Sequence, residues 1–202
     1  MRRRPNLPLR INLLNPTRSD VAELTGTVEG RGRRIAVVAS RFNDVVVSRL
    51  VEGARECLAA HGVAPDDVDV VWVPGAWELP AGVRRVLATE RYDGVVAVGA
   101  VVRGGTPHFD YVAGEAARGL AIASADFEIP VGLGLLTCDT MAQAEERAGG
   151  AHGNKGWDAA LAALEMVDLF ERLDLMQASG DDELDADGNH DGNDDAGGDD
   201  GR

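Results

Sequence analysis

The chain has 202 residues, 45 % of them apolar, and a formal net charge of −14. That length and composition suit one sizeable core, and the acidic balance excludes nucleic acid as a principal partner. The charge is uneven: residues 179–202 carry ten acidic side chains and one arginine, −9 in all, which leaves −5 for the preceding residues.

Residues 1–30 are rich in Pro, Arg and Asn and show no sustained period, so an irregular extension is expected, with room for a short strand over 24–28. Pro5, Pro8, Arg10 and Asn12 break any signal-peptide core, and no apolar run is long enough for a bilayer, so a cytoplasmic location is expected. "RIAVVAS" (34–40) predicts a first strand. Val47, Leu50, Val51, Ala54, Cys57 and Leu58 then fall at helical spacing, and Gly62 stops that helix. "VDVVWVP" (68–74) predicts a second strand, followed by a helix over about 79–90. "GVVAVGAVV" (94–102) is a third strand, and a helix follows over about 107–125. "PVGLGLLT" (130–137) is a fourth strand, and Asp139 or Thr140 caps a short helix to about Arg147. A last helix starts near Asn154 and turns Ala163, Met166, Val167, Phe170 and Leu173 to one face.

The final 24 residues, Asp- and Gly-rich, bury too little apolar surface to offset chain entropy, so disorder is expected there. "DADGNHDG" within them has some likeness to a calcium loop but lacks the spaced carboxylates, the terminal Glu and the flanking helices. Cys57 and Cys138 read as buried free thiols rather than as a disulfide or a nucleophile. No metal-ligand spacing is present.

Apolar strands alternating with helices predict a parallel sheet covered on both faces, with ligands at the carboxyl ends of the strands. Those ends carry residues that packing alone would not choose. In "RGGTPHFDY" the glycines permit a positive-φ turn and uncovered backbone N–H groups, Thr106 suits an N-cap, and Pro107 suits the first helical position. A helix start with free N–H groups binds anions, and a neutral His108 beside one can take and give protons. The plain alternative is a capped helix with an idle histidine. Phe42 in "SRFND" either stacks on a flat heterocycle or staples the next helix. Trp77 and Glu78 in "VPGAWELP" either present a polyol site or are a buried tryptophan and a surface glutamate. In "ERAGGAHGNKGWDAA" Arg147, His152 and Lys155 stand among glycines; Arg147 either clasps a phosphate or serves a helix end, and Lys155 is otherwise solvated.

Together "SRFND", "VPGAWELP", "GAVVRGGTPHFDYV" and "ERAGGAHGNKGWDAALAALEM" resemble the 6,7-dimethyl-8-ribityllumazine synthase family over about residues 33–173. The resemblance implies a flavodoxin-like three-layer α/β sandwich: a parallel sheet of four main strands with helices on both faces, and an optional N-terminal strand. The resemblance does not reach either end, and with the composition of those ends the chain is expected to divide into an extension (1–30), a folded body (31–175) and an acidic disordered tail (176–202). The resemblance implies a transferase that joins 5-amino-6-(D-ribitylamino)uracil to (S)-3,4-dihydroxy-2-butanone 4-phosphate through imine formation, phosphate elimination and ring closure, with no metal or organic cofactor. His108 would then be the acid/base residue, and Gly105, Thr106 and Arg147 would bind the phosphate. Phe42 would stack on the pyrimidine. Ala76, Trp77 and Glu78 would hold the ribityl chain, Ala100, Val101 and Val102 would border the ring, and Lys155 would come from a neighbouring subunit.

Three positions depart from the family's pattern. Leu133 stands where an aromatic is usual, Gly105 where Ala is frequent, and Ala151 where many members have a basic residue. They touch ring stacking and affinity rather than reaction type. The family's unit is a pentamer with sites between subunits, which pairs into decamers or closes into sixty-subunit shells. The short "GGAHGNKG" connection resembles that of shell-forming members, and the N-terminal extension would add a strand to a neighbour's sheet. The resemblance implies small-molecule substrates and copies of the same chain as partners, with no nucleic acid and no membrane. Two rival readings are an archaeal-type riboflavin synthase on the same scaffold, which releases no phosphate, and a non-catalytic shell or flavin-binding protein. The "RGGTPHFDY" loop with Arg147 favours the phosphate-using reaction.

Overall fold

A computed structural model describes the backbone of residues 23–187 and the side chains of residues 23–178. Four strands, β1 (Ile35–Ser40), β2 (Val68–Val73), β3 (Gly94–Val102) and β4 (Val131–Cys138), form one parallel sheet in the order β2-β1-β3-β4. Helices α1 (Asp44–Ala60), α2 (Leu79–Leu87), α3 (His108–Phe127), α4 (Met141–Glu146) and α5 (Lys155–Asp187) complete the body. Successive strand side chains point to opposite faces. Ile35, Val37 and Ala39 therefore pack with α1 and α5, whereas Ala36 and Val38 pack with α2 and α3. This is the expected flavodoxin-like sandwich.

Between β1 and β3 the strand order reverses. In an open parallel sheet that reversal leaves a crevice at the carboxyl ends of the two strands, the usual ligand site. Here those ends are the turn holding Phe42 and the loop holding His108.

Close backbone approach sets the second layer. A Cβ on Gly132 of β4 would overlap the Ala159 carbonyl oxygen and lie 3.2 Å from the Ala163 Cβ, both on α5. The obstructing atom is backbone, so it cannot rotate away. Gly132→Ala is expected to lower stability by at least about 1–3 kcal/mol, read as a lower denaturant midpoint at unchanged slope.

Four features differ from the sequence expectation. Residues 24–28 form no strand; they lie along α5, where the Thr27 N–H donates to Asp168 Oδ2 (2.7 Å) and the Arg172 Nη1 donates to the Thr25 carbonyl (3.3 Å). Helix side chains thus occupy backbone groups that a strand would need for pairing. Second, α3 begins at His108 with Pro107 at its boundary and no side-chain cap, so Thr106 does not cap it. Third, a small hairpin, β5 (Ala148–Gly150) with β6 (Gly153–Asn154), fills the glycine-rich connection before α5. Fourth, α5 runs through Asp187, past the expected start of a disordered tail, because no proline interrupts residues 176–187. The extension before residue 23, and residues 188–202 with most of the calcium-loop likeness, lie outside the described residues.

The other cap follows expectation: Thr140 Oγ1 accepts from the Gln143 N–H (3.2 Å) at the start of α4. Both cysteines are buried and free. Burial pushes the Cys57 thiol up to about 11, with the Asp158 charge adding to it. Burial also raises Cys138, against a lowering by the nearby Arg147 charge. Neither is an activated thiolate.

Candidate active site

The turn after β1 is held from two sides. The Arg41 N–H donates to the Val73 carbonyl (2.8 Å) and the Phe42 N–H to the Pro74 carbonyl (3.2 Å), which prolongs the pairing with β2 beyond the sheet. Asn43 takes the left-handed conformation (φ 62°), one that Asn tolerates better than most residues. Its Nδ2 donates to the Ala100 carbonyl (2.9 Å), so the turn is tied across the crevice to β3. Phe42 stands 70 % exposed, which leaves its ring free rather than stapled onto α1.

After β2, Ala76–Glu78 form a single 3-10 turn closed by the Glu78 N–H on the Gly75 carbonyl (3.2 Å). Ala76 is buried, Glu78 is half-buried, and Trp77 is 59 % exposed, so Trp77 is not a core residue of this chain.

At the end of β3, Ala100 is buried and Val101 and Val102 are half-buried. Gly104 and Gly105 follow with open space around them, and neither has a positive φ, contrary to the sequence expectation. What these glycines leave is uncovered backbone. Thr106 and His108 are exposed, and no hydrogen bond engages the His108 ring among the described residues. The first N–H groups of α3 lack a side-chain acceptor, which suits an anion.

Arg147 ends α4. Its Nη1 donates to the Gln143 carbonyl (2.9 Å), so the helix-end role is real but uses only part of the guanidinium. Its charge reaches Cys138 at the end of β4, which places it on the carboxyl edge of the sheet. In the hairpin, Gly149 (φ 97°) and Gly153 (φ 73°) take positive-φ conformations open to glycine. The reversal lets the Lys155 N–H donate to the Arg147 carbonyl (2.8 Å). Lys155 Nζ pairs with Asp158 Oδ2 (2.7 Å), and His152 Nδ1 lies 3.4 Å from Glu146 Oε2.

Leu133 is not brought to this cluster within the chain. It pairs with Ala97, three residues before Ala100, and is 56 % exposed on the outer strand.

The sequence reading overlooked Arg103. Its Nε donates to Asp139 Oδ1 (2.9 Å), its Nη1 and Nη2 donate to the two oxygens of Asp110 (3.3 and 3.1 Å), and its plane lies 4.1 Å from the Phe109 ring centre. Hydrogen bonds to Asp110 first, and to Asp139 next, hold its pKa above the ordinary value. The signal for it was thin: one arginine between an apolar run and two glycines.

A parallel α/β sheet of this order, with the turn after β1 tied to the end of β3 at the switch point, defines a flavodoxin-like protein. Residues 32–171 match the model of the family described as 6,7-dimethyl-8-ribityllumazine synthase, and the chain belongs to that family. It is 67 % identical over 152 residues to a protein of that name from Gemmatimonas aurantiaca, covering 75 % of this chain and 93 % of the relative. A namesake from Desulfovibrio desulfuricans is 50 % identical over 155 residues, covering 77 % of this chain and 99 % of the relative. One from Aquifex aeolicus is 49 % identical over 148 residues, covering 73 % of this chain and 96 % of the relative.

Proposed function

We propose that this chain is a 6,7-dimethyl-8-ribityllumazine synthase, an enzyme of riboflavin biosynthesis. It condenses 5-amino-6-(D-ribitylamino)uracil with (S)-3,4-dihydroxy-2-butanone 4-phosphate and releases phosphate and water. The observation that carries the reading is the switch point between β1 and β3, where the Phe42 turn and the His108 loop end neighbouring strands and Asn43 ties the first to Ala100. Phe42 stacks on the pyrimidine, the turn of Ala76, Trp77 and Glu78 holds the ribityl hydroxyls, and Ala100, Val101 and Val102 border the ring. The N–H groups of Gly105 and Thr106 and the free side of Arg147 take the phosphate. His108, one step inside the helix, moves protons during imine formation and phosphate elimination. Much of the rate comes from holding two substrates in register.

The experiment is incubation of the full chain with both substrates, following lumazine fluorescence and inorganic phosphate together. Both signals are expected; the absence of both sinks the reading. A riboflavin synthase would instead consume lumazine and release no phosphate. Phe42→Ala is expected to raise KM for the pyrimidine at least about fivefold, from the loss of roughly 1–3 kcal/mol of stacking, and to leave KM for the phosphate substrate unchanged.

The working unit in this reading is a pentamer, alone, paired or closed into a sixty-subunit shell, with Lys155 and the exposed Leu133 serving sites across subunit boundaries. Electron microscopy of the purified protein distinguishes the three. Residues 1–30 form the extension, 31–175 the catalytic body and 176–202 the acidic segment. No helix among the described residues is long and apolar enough to cross a membrane, and the proposed place of action is the cytoplasm.

A further inference from the structure

Asp110 occupies the first turn of α3, three residues inside Pro107. A carboxylate in the first helical turn ordinarily turns to the free N–H groups there, drawn by the dipole; because Pro107 has no N–H, these are the groups of His108 and Phe109. Here it does not: both of its oxygens are held by Arg103, and α3 starts without a side-chain cap. The same guanidinium grips Asp139 and lies against Phe109. Its backbone is fixed too, by the Arg103 N–H on the Cys138 carbonyl (2.9 Å).

A relay continues from Asp139. Its N–H donates to Gln143 Oε1 (2.9 Å), and the Gln143 carbonyl accepts from Arg147 Nη1 (2.9 Å). One planar fork thus joins the first turn of α3, the end of β4 and the α4 helix that presents Arg147. A point charge on a flexible stem does not reproduce two such carboxylate contacts and a stacked plane. Arg103 is itself a poor phosphate ligand, because two carboxylates already occupy its edges.

We infer that Arg103 is a positioning residue of the proposed reaction: it holds the Asp110 carboxylate off the start of α3 and so keeps that anion seat open. This rests on the phosphate-using reading above. Without Arg103, Asp110 turns to the N–H groups and competes with the substrate's phosphate.

The test measures KM for each substrate separately in the full chain. Arg103→Ala is expected to raise KM for the butanone phosphate about fivefold to tenfold and to leave KM for the pyrimidine within about twofold. Adding Asp110→Asn removes the competing carboxylate, and in the double variant KM for the phosphate substrate is expected to return most of the way. A merely structural role would not be repaired by a second substitution. An unchanged KM in Arg103→Ala, or a raised KM that Asp110→Asn leaves raised, overturns the inference. If Arg103→Ala does not fold, Arg103→Lys with and without Asp110→Asn carries the same comparison, and the same outcomes support or overturn it. A parent protein that makes no lumazine refutes the function itself; a parent that turns over while the variants behave as parent refutes only the role of Arg103.

Discussion

Replacing His108 by alanine is expected to lower kcat for lumazine formation by about 10²–10⁴-fold, the range a positioned acid/base group supplies. Assembly and thermal stability should stay at parent values. The side chain is exposed and carries no hydrogen bond among the described residues, so its removal opens no cavity and orphans no partner. The helix keeps its start, because Pro107 rather than a side-chain cap defines it. The measurement is steady-state turnover at saturating concentrations of both substrates, with a melting curve as control. Turnover equal to the parent's would remove His108 from proton transfer and return it to an idle position on a helix.

Arg147→Ala is expected to act on binding instead. A charge-assisted contact to phosphate contributes roughly 1.5–3 kcal/mol, so KM for the butanone phosphate should rise by about 10-fold to 10²-fold while KM for the pyrimidine holds. The lost hydrogen bond to the Gln143 carbonyl frees one acceptor at a short helix end, a small structural cost beside the loss of the cation. Equal affinity for the phosphate substrate in variant and parent would rule out the clamp. The two variants separate the roles, since one changes kcat and the other changes KM for a single substrate.

Much of this was legible in the chain. Runs such as "VVAVGAVV" are apolar on both faces, and only a strand buried between two helical layers accommodates that, so β1, β3 and β4 fell within a residue or two of expectation. The resemblance placed Phe42, the 76–78 turn, His108 and Arg147 at strand or helix ends, and the fold gathers those ends on one edge. What escaped depends on pairings between distant residues or on backbone conformation. The clamp of Arg103 joins partners 7 and 36 residues away. Thr106 has the chemistry of a cap, yet the loop starts the helix one residue later. Residues 24–28 have a strand's composition, but Asp168 and Arg172 on α5 claim their backbone. Asn43, which ties the aromatic turn to β3, looks like any turn residue until its φ of 62° is seen.

The direction of α5 has an electrostatic consequence. It passes Gly134 at Ala159 and Gly94 at Val167, so it leads from the carboxyl edge of the sheet to the amino edge and then beyond it. Asp181, the first of the ten acidic residues, comes about 39 Å along that axis from Lys155. Fields are damped over about 8 Å at physiological ionic strength. The backbone of residues 181–187 therefore lies several such damping lengths from Lys155. The formal charge of the whole chain is thus a poor guide to the field that residues 181–187 exert at the start of α5.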